Sequence, residues 1–138
     1  MTHKVVEEAR KWLGVKWRHQ GRTEHGIDCV GLLAMVARGI GMEHKDTTNY
    51  VRYSHGAEFL SHLNASGLVP QKTSDAGEGS VLVLLDHAYP CHVAIQSEKY
   101  GVPHMIHAYA PRRRVVEDPL TDQWLKKRIA AYTYPGAD

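Results

Sequence analysis

The stretch Gly26-Ile27-Asp28-Cys29-Val30-Gly31-Leu32-Leu33 joins a polar, glycine-containing loop to an apolar run with helical spacing. Asp28 is placed as the N-cap, so the predicted helix begins at Cys29. A helix N-terminus presents unpaired N–H groups and a partial positive charge, and both favour a thiolate over a thiol. A lone cysteine is more often a small buried residue. This junction by itself therefore leaves two alternatives open, a nucleophile and a structural cysteine.

Apolar residues at helical spacing predict three helices in the first half of the chain. They are predicted over Val5–Leu13, from the Asp28 cap through Ile40, and over Ala57–Ala65. The residues between them, 15–27 and 43–54, are rich in glycine or polar side chains and are predicted as loops.

After Pro70 the pattern changes to short, β-branched runs separated by turn residues. These runs predict five strands: Ser80–Asp86, Cys91–Ser97, His104–Tyr109, Arg114–Glu117 and Arg128–Tyr134. Helices followed by antiparallel strands is an α+β order. A length of 138 residues, of which 43% are hydrophobic, fits one domain over residues 1–138.

Composition excludes several classes of protein. The net charge of +2 gives no general affinity for nucleic acid. The run Arg112–Arg114 is predicted as a solvated turn, with a contact to an anionic polymer as the alternative. No stretch reaches the roughly 20 apolar residues of a membrane span. The first residues lack the apolar core of a signal peptide, which predicts synthesis in the cytoplasm. Two cysteines are too few for a disulfide framework.

Three residues have the types that nucleophilic catalysis requires. If the strands of His92 and His107 pair around Gly101 and pack on the helix that Cys29 begins, the thiol meets an imidazole. His92 would then take the thiol proton and return it to a leaving amine. His107 would orient the first imidazole.

The other histidines and cysteine receive plainer interpretations. The spacing of residues 87, 91, 92, 104 and 107 matches no standard zinc pattern, so no metal and no cofactor are predicted. Strand alternation places Cys91 on the opposite face from His92, as a small core residue. Solvent-exposed positions are predicted for His19, His25, His44, His55 and His62.

The ordered set of these motifs resembles the NlpC/P60 cysteine peptidases. The segment Ala9–Leu33 is similar to the family's first helix, its glycine-containing loop and its Asp-Cys-x-Gly-Leu helix start. Cys91–Ile95 resembles the family's His-Val-small-Ile strand, and Met105–Ala108 resembles the next strand, which carries the third polar residue. Glu78–Val81 is similar to the turn that enters the first core strand.

The resemblance implies a papain-like α+β fold, with N-terminal helices packed on a central antiparallel sheet. It also implies hydrolysis of peptidoglycan stem peptides through a thioacyl-enzyme, at the γ-D-glutamyl to diamino acid bond. In this resemblance Cys29 is the nucleophile, His92 is the general base and His107 is the third polar residue. Asp28 binds the amine of the stem peptide, and Trp17 lines the substrate site.

Two positions depart from the family pattern. Trp17 stands where many members have a tyrosine, and an indole N–H can donate to an oxyanion but cannot accept a proton. Val30 replaces a serine that often follows the nucleophile, which removes a polar contact to the substrate.

The short chain without a wall-binding module looks most like the versions carried by tailed bacteriophages. This resemblance implies tail tip or hub proteins as partners and action at the cell wall. The alternatives are a structural tail component with little hydrolysis, and an amidase or acyltransferase on the same fold.

Overall fold

A computed structural model describes residues 3–46, 56–86 and 89–137. Its four α-helices are α1 Lys4–Arg10, α2 Cys29–Gly39, α3 Gly56–Ala65 and α4 Asp122–Lys126. Its strands are β1 Arg22–Thr23, β2 Gly26–Ile27, β3 Val69–Gln71, β4 Val81–Asp86, β5 Tyr89–Lys99, β6 Val102–Tyr109, β7 Arg114–Pro119 and β8 Arg128–Thr133. Within these ranges, no helix is long and apolar enough to cross a membrane.

The centre of the fold is a six-stranded antiparallel sheet in the order β3-β8-β4-β5-β6-β7. Side chains alternate between its two faces. The larger core cluster joins one face to α1, α2 and α3, and includes Val83, Val93 and Ile106. A smaller cluster on the other face includes Leu84 and Met105, and Trp124 of α4 packs against it. This arrangement confirms the predicted α+β class.

The helix predictions are confirmed, with one correction of length. Helix α1 ends at Arg10 instead of Leu13. The chain leaves the helix there because the Gly14 N–H donates to the Val115 carbonyl at 3.0 Å, which draws residue 14 onto strand β7. Helix α2 begins at Cys29, as predicted, and ends at Gly39.

The five predicted strands are all present, with shifted ends, and four of the described α-helices and strands were missed: the two-residue strands β1 and β2 in the predicted loop 15–27, strand β3 and helix α4. Strand β3 has three residues, one of them Pro70, and it forms by pairing with β8. Helix α4 has five residues and is capped by the side chain of Thr121. Neither is long enough to show a periodic pattern in the sequence. The predicted loop over 43–54 lies partly outside the described residues.

An ion pair ties helix α1 to the edge strand β7. Arg10 donates from Nη2 to Glu117 Oε2 at 2.9 Å and from Nε to Oε1 at 3.2 Å, and Ser97 donates to Oε2 at 2.7 Å. The Glu117 side chain is 6% exposed. Burial by itself would raise the pKa of this carboxyl, but the bonds from Arg10 and Ser97 outweigh burial and lower the pKa. Glu117 is therefore an ionised acceptor at neutral pH.

We expect Arg10→Ala to lower the free energy of unfolding by about 3 kcal/mol, because it leaves a buried carboxylate without its cation. Urea unfolding at pH 7 measures this. The matched control is Lys11→Ala, which removes an exposed pair with Glu8 and is expected to cost less than about 1 kcal/mol. Equal losses in the two variants would contradict the importance of the Arg10–Glu117 pair.

Candidate active site

Cys29 is the first residue of α2, and the helix cap is built as predicted. Asp28 Oδ1 accepts from the Gly31 N–H at 2.8 Å, and the Asp28 carbonyl accepts the Leu32 N–H at 2.9 Å. Gly31 lies so close to the Gly21 carbonyl that a Cβ would overlap that oxygen. The glycine therefore lets the loop pass directly beside the start of the helix. The Cys29 side chain is half-buried at this junction and packs against the main core.

The carboxylate of Asp28 has partners within the protein. It is 3% exposed. Its Oδ2 accepts from the Gln20 N–H at 2.7 Å, and its Oδ1 accepts from Arg22 Nη1 at 3.1 Å. Arg22 also donates from Nε to Asp46 at 2.9 Å. Asp28 thus fixes the loop on the helix start next to a cation of the chain itself, and its contact with a substrate amine stays a prediction.

The two predicted histidines meet directly. His92 Nε2 lies 2.8 Å from His107 Nδ1. His107 Nε2 lies 3.0 Å from Asp118 Oδ2, and Arg112 Nη1 donates to Asp118 Oδ1 at 3.1 Å. The described residues therefore contain a continuous chain of polar contacts, Arg112–Asp118–His107–His92, which we call the imidazole relay.

Strand alternation explains where the relay lies. Val93 and Ile106 point into the main core, so their neighbours His92 and His107 project from the opposite face of the sheet. Asp118 on β7 pairs with Met105 on β6, and Met105 lies two residues before His107 on that strand. Asp118 therefore projects from the same face of the sheet as His107. Aromatic rings cover this face, and His92 is only 5% exposed and His107 0% exposed.

The aromatic cover consists of Tyr109 and Trp124. Their ring centroids lie 5.2 and 6.0 Å from that of His92, and 4.9 and 5.8 Å from that of His107. Burial lowers the pKa of His92 well below its usual value, and the neighbouring His107 adds to this effect. Burial also lowers the pKa of His107, although Asp118 opposes it. Both imidazoles are therefore neutral at pH 7.

The start of α2 and the relay lie at the same end of the sheet. The Trp17 N–H donates to the Arg113 carbonyl at 2.9 Å, and Trp17 is bridged to Ile27, two residues before Cys29. Arg113 is in the turn that follows Tyr109, whose ring contacts both imidazoles. The predicted packing of α2 on the strands of the two histidines is confirmed. The approach of the thiol to His92 stays a prediction.

Trp17 and Val30 both border the helix start. Trp17 is half-buried against the main core, with its ring centroid 6.5 Å from that of His19. Its contact with substrate stays a prediction. Val30 lines an apolar recess together with Leu33, Phe59, Leu63 and His44.

The prediction that His44 is solvated is wrong. It packs beside the recess, and in the described part of the chain both of its ring nitrogens are buried without a hydrogen-bond partner. Burial lowers its pKa. His25 is exposed as predicted. His55, His87 and the side chain of Cys91 lie outside the described residues.

Sequence reasoning missed Asp118. The sequence predicts a solvated turn over Arg112–Arg114 and a short strand over Arg114–Glu117, whereas β7 extends to Pro119. Arg113, in the turn, has a left-handed φ of 60°. Arg112–Arg114 are exposed, as predicted for a solvated turn, and Arg112 pairs with Asp118. Only the register of β6 with β7 brings Asp118 to His107, and no local pattern encodes that register.

The sequence matches a known protein family, and the fold is similar to those of known proteins. The model of the NlpC/P60 family matches residues 14–133. No curated protein sequence matches the chain. The fold is similar to the NlpC/p60 domain of the peptidoglycan hydrolase SagA, with a TM-score of 0.64, 22% identity and coverage of 94% of this chain and 96% of that one.

Two larger structures contain the same fold. An NlpC/P60 family protein from Bacillus cereus gives a TM-score of 0.68 at 18% identity, covering 95% of this chain and 39% of that one. A lipoprotein-like NLP/P60 protein from Staphylococcus aureus gives a TM-score of 0.65 at 19% identity, covering 96% of this chain and 40% of that one. The chain thus spans about two fifths of each of these two proteins.

Proposed function

Because the chain belongs to the NlpC/P60 family, we propose that it is a cysteine peptidase that hydrolyses peptide bonds of the bacterial cell wall. The observation that carries the proposal is the imidazole relay, buried and neutral, at the same end of the sheet as a cysteine that begins a capped helix. A nucleophilic cysteine requires a base and a group that orients the base.

The geometry suggests how each group acts. His92 Nε2 faces His107, so Nδ1 is the nitrogen left to accept the thiol proton. The Cys29 thiolate attacks the peptide carbonyl, and backbone N–H groups at the helix start stabilise the oxyanion. The His92 imidazolium gives its proton to the leaving amine. Water then hydrolyses the thioester and restores the thiol.

The bond that we propose is the γ-D-glutamyl to diamino acid bond of the stem peptide. The similarity to a structure named as the domain of a peptidoglycan hydrolase supports the cell wall as the source of substrate. Trp17 and Asp28 flank the helix start on its loop side, where a bound stem peptide would pass.

The test is incubation of the purified protein with peptidoglycan fragments, followed by mass spectrometry of the products. New termini at the glutamyl bond are expected, and prior alkylation with iodoacetamide should prevent them. Release of whole stem peptides would identify an amidase instead, and a mass adduct on an added amine would identify an acyltransferase. An unchanged digest with unalkylated protein would contradict hydrolysis.

We propose in addition that the protein acts as part of a phage tail. This proposal comes from the sequence resemblance to phage-borne members. Co-purification with tail tip or hub proteins from virions supports it, whereas recovery apart from particles contradicts it.

A further inference from the structure

Building on the proposed function, we propose that Asp118 is a positioning residue that decides, through His107, which nitrogen of His92 carries the proton. Asp118 acts on His92 from the far end of the relay, two hydrogen bonds away.

The proton pattern follows from the atoms at each link. An ionised carboxylate can only accept, so His107 must carry a proton on Nε2 to bond Asp118 Oδ2 at 3.0 Å. A neutral His107 then presents Nδ1 as an acceptor. His92 must therefore donate from Nε2 across the 2.8 Å contact. This leaves His92 Nδ1 unprotonated, which is the state that a general base for the thiol needs.

Arg112 fixes the orientation of Asp118 itself. Its Nη1 donates to Oδ1 at 3.1 Å, while Oδ2 faces His107. A guanidinium has donors only, so the atom that faces it must be an acceptor. The His107 side chain is fully buried, so solvent does not replace a lost partner there. Each group of the relay therefore admits one assignment of donor and acceptor.

This arrangement makes Asp118→Asn a sharper test than removal of the side chain. Arg112 requires an oxygen, so it orients the new amide with its NH₂ toward His107. His107 Nε2 then accepts, Nδ1 carries the proton, and His92 Nε2 accepts from it. His92 is left with its proton on Nδ1, so the nitrogen proposed to face the thiol has no lone pair with which to accept the thiol proton.

The direct readout is the tautomer of His92 and His107, measured by ¹⁵N NMR of the histidine rings at pH 7. In the wild-type protein we expect the protons on Nε2 of both rings. In Asp118→Asn we expect them on Nδ1 of both. In Asp118→Asn combined with Arg112→Ala the amide is free to rotate, and we expect the wild-type tautomers to return in part.

The second readout is the rate at which iodoacetamide alkylates Cys29 at pH 7. We expect Asp118→Asn to slow it about a hundredfold and Asp118→Ala about tenfold, since a wrongly held tautomer is worse than a free one. Asp75→Asn, an exposed aspartate outside the relay, is the matched control and should leave the rate unchanged. Melting curves confirm that each variant is folded.

Neither readout requires hydrolysis, so the two proposals fail separately. Wild-type tautomers in Asp118→Asn would overturn the positioning role. So would alkylation of Cys29 that is slowed equally by asparagine and alanine. If the tautomers switch as expected while the wild-type protein leaves peptidoglycan intact, the positioning role holds and the proposed peptidase activity is contradicted.

Discussion

Replacing Cys29 with alanine is expected to abolish hydrolysis of peptidoglycan fragments, with a loss of at least about ten-thousandfold in kcat. The loss is large because, in the proposed mechanism, the sulfur forms the covalent intermediate. The substitution removes only the Sγ atom at the first position of α2, where Asp28 keeps its bonds to the helix N-terminus. The folded structure should therefore persist, and circular dichroism with thermal melting checks it.

The matched control is Cys91→Ala, which removes the chain's other thiol. It should retain activity within a factor of about two and remain sensitive to iodoacetamide, because alkylation of Cys29 is what inactivates the protein. Substantial hydrolysis by Cys29→Ala would show that the thiol is structural. A water activated by the relay would then be the nucleophile to consider.

Acid should destabilise the protein through His92. Burial lowers the pKa of His92 in the folded protein, whereas in the unfolded chain its pKa is about 6.5. At pH values between these two pKa values, the unfolded chain binds one more proton at His92 than the folded protein does. The contribution of His92 to the free energy of unfolding is therefore fully present above about pH 6.5, and it is lost as the pH falls toward the pKa of His92 in the folded protein. For this single group the free energy of unfolding is expected to fall with a slope approaching about 1.4 kcal/mol per pH unit.

Urea unfolding from pH 7.5 to 5 measures this slope in the wild-type protein and in His92→Gln, which keeps a polar side chain that does not titrate. The variant should show a flatter decline, and the difference between the two curves isolates His92 from the carboxylates. His107→Gln should show a smaller change, because Asp118 opposes the effect of burial on that imidazole. The exposed His25 supplies the control variant His25→Gln. Parallel curves for wild type and His92→Gln would contradict a neutral buried imidazole.

The lowered pKa values of His92 and His107 also shift the pH at which activity is expected to decline toward more acidic values. An unperturbed imidazole in the place of His107 predicts a decline in activity below about pH 6.5. Because burial lowers the pKa of both histidines, we expect the relay to stay neutral below that pH. The decline in activity should therefore follow the loss of the folded state instead of preceding it.

Local chemistry made the helix start readable from the sequence. An aspartate before an apolar helical run specifies a cap within four residues, and the cap forms with Gly31 as expected. The strand of His92 was also readable, because alternation over a few residues needs no distant partner. The same local information failed at Leu13, where a hydrogen bond from Gly14 to a strand a hundred residues away ends the helix early.

What the sequence by itself determined is therefore the helix that begins at Cys29, the strands of His92 and His107, and the class of the fold. Only the tertiary structure decided that the two imidazoles touch, that Asp118 completes the relay with Arg112 behind it, and that the ring nitrogens of His44 are buried. The physical reason is separation along the chain. Caps and periodicity act over a few residues, whereas the relay depends on the register between strands and on the packing of Trp124 and Tyr109 over them.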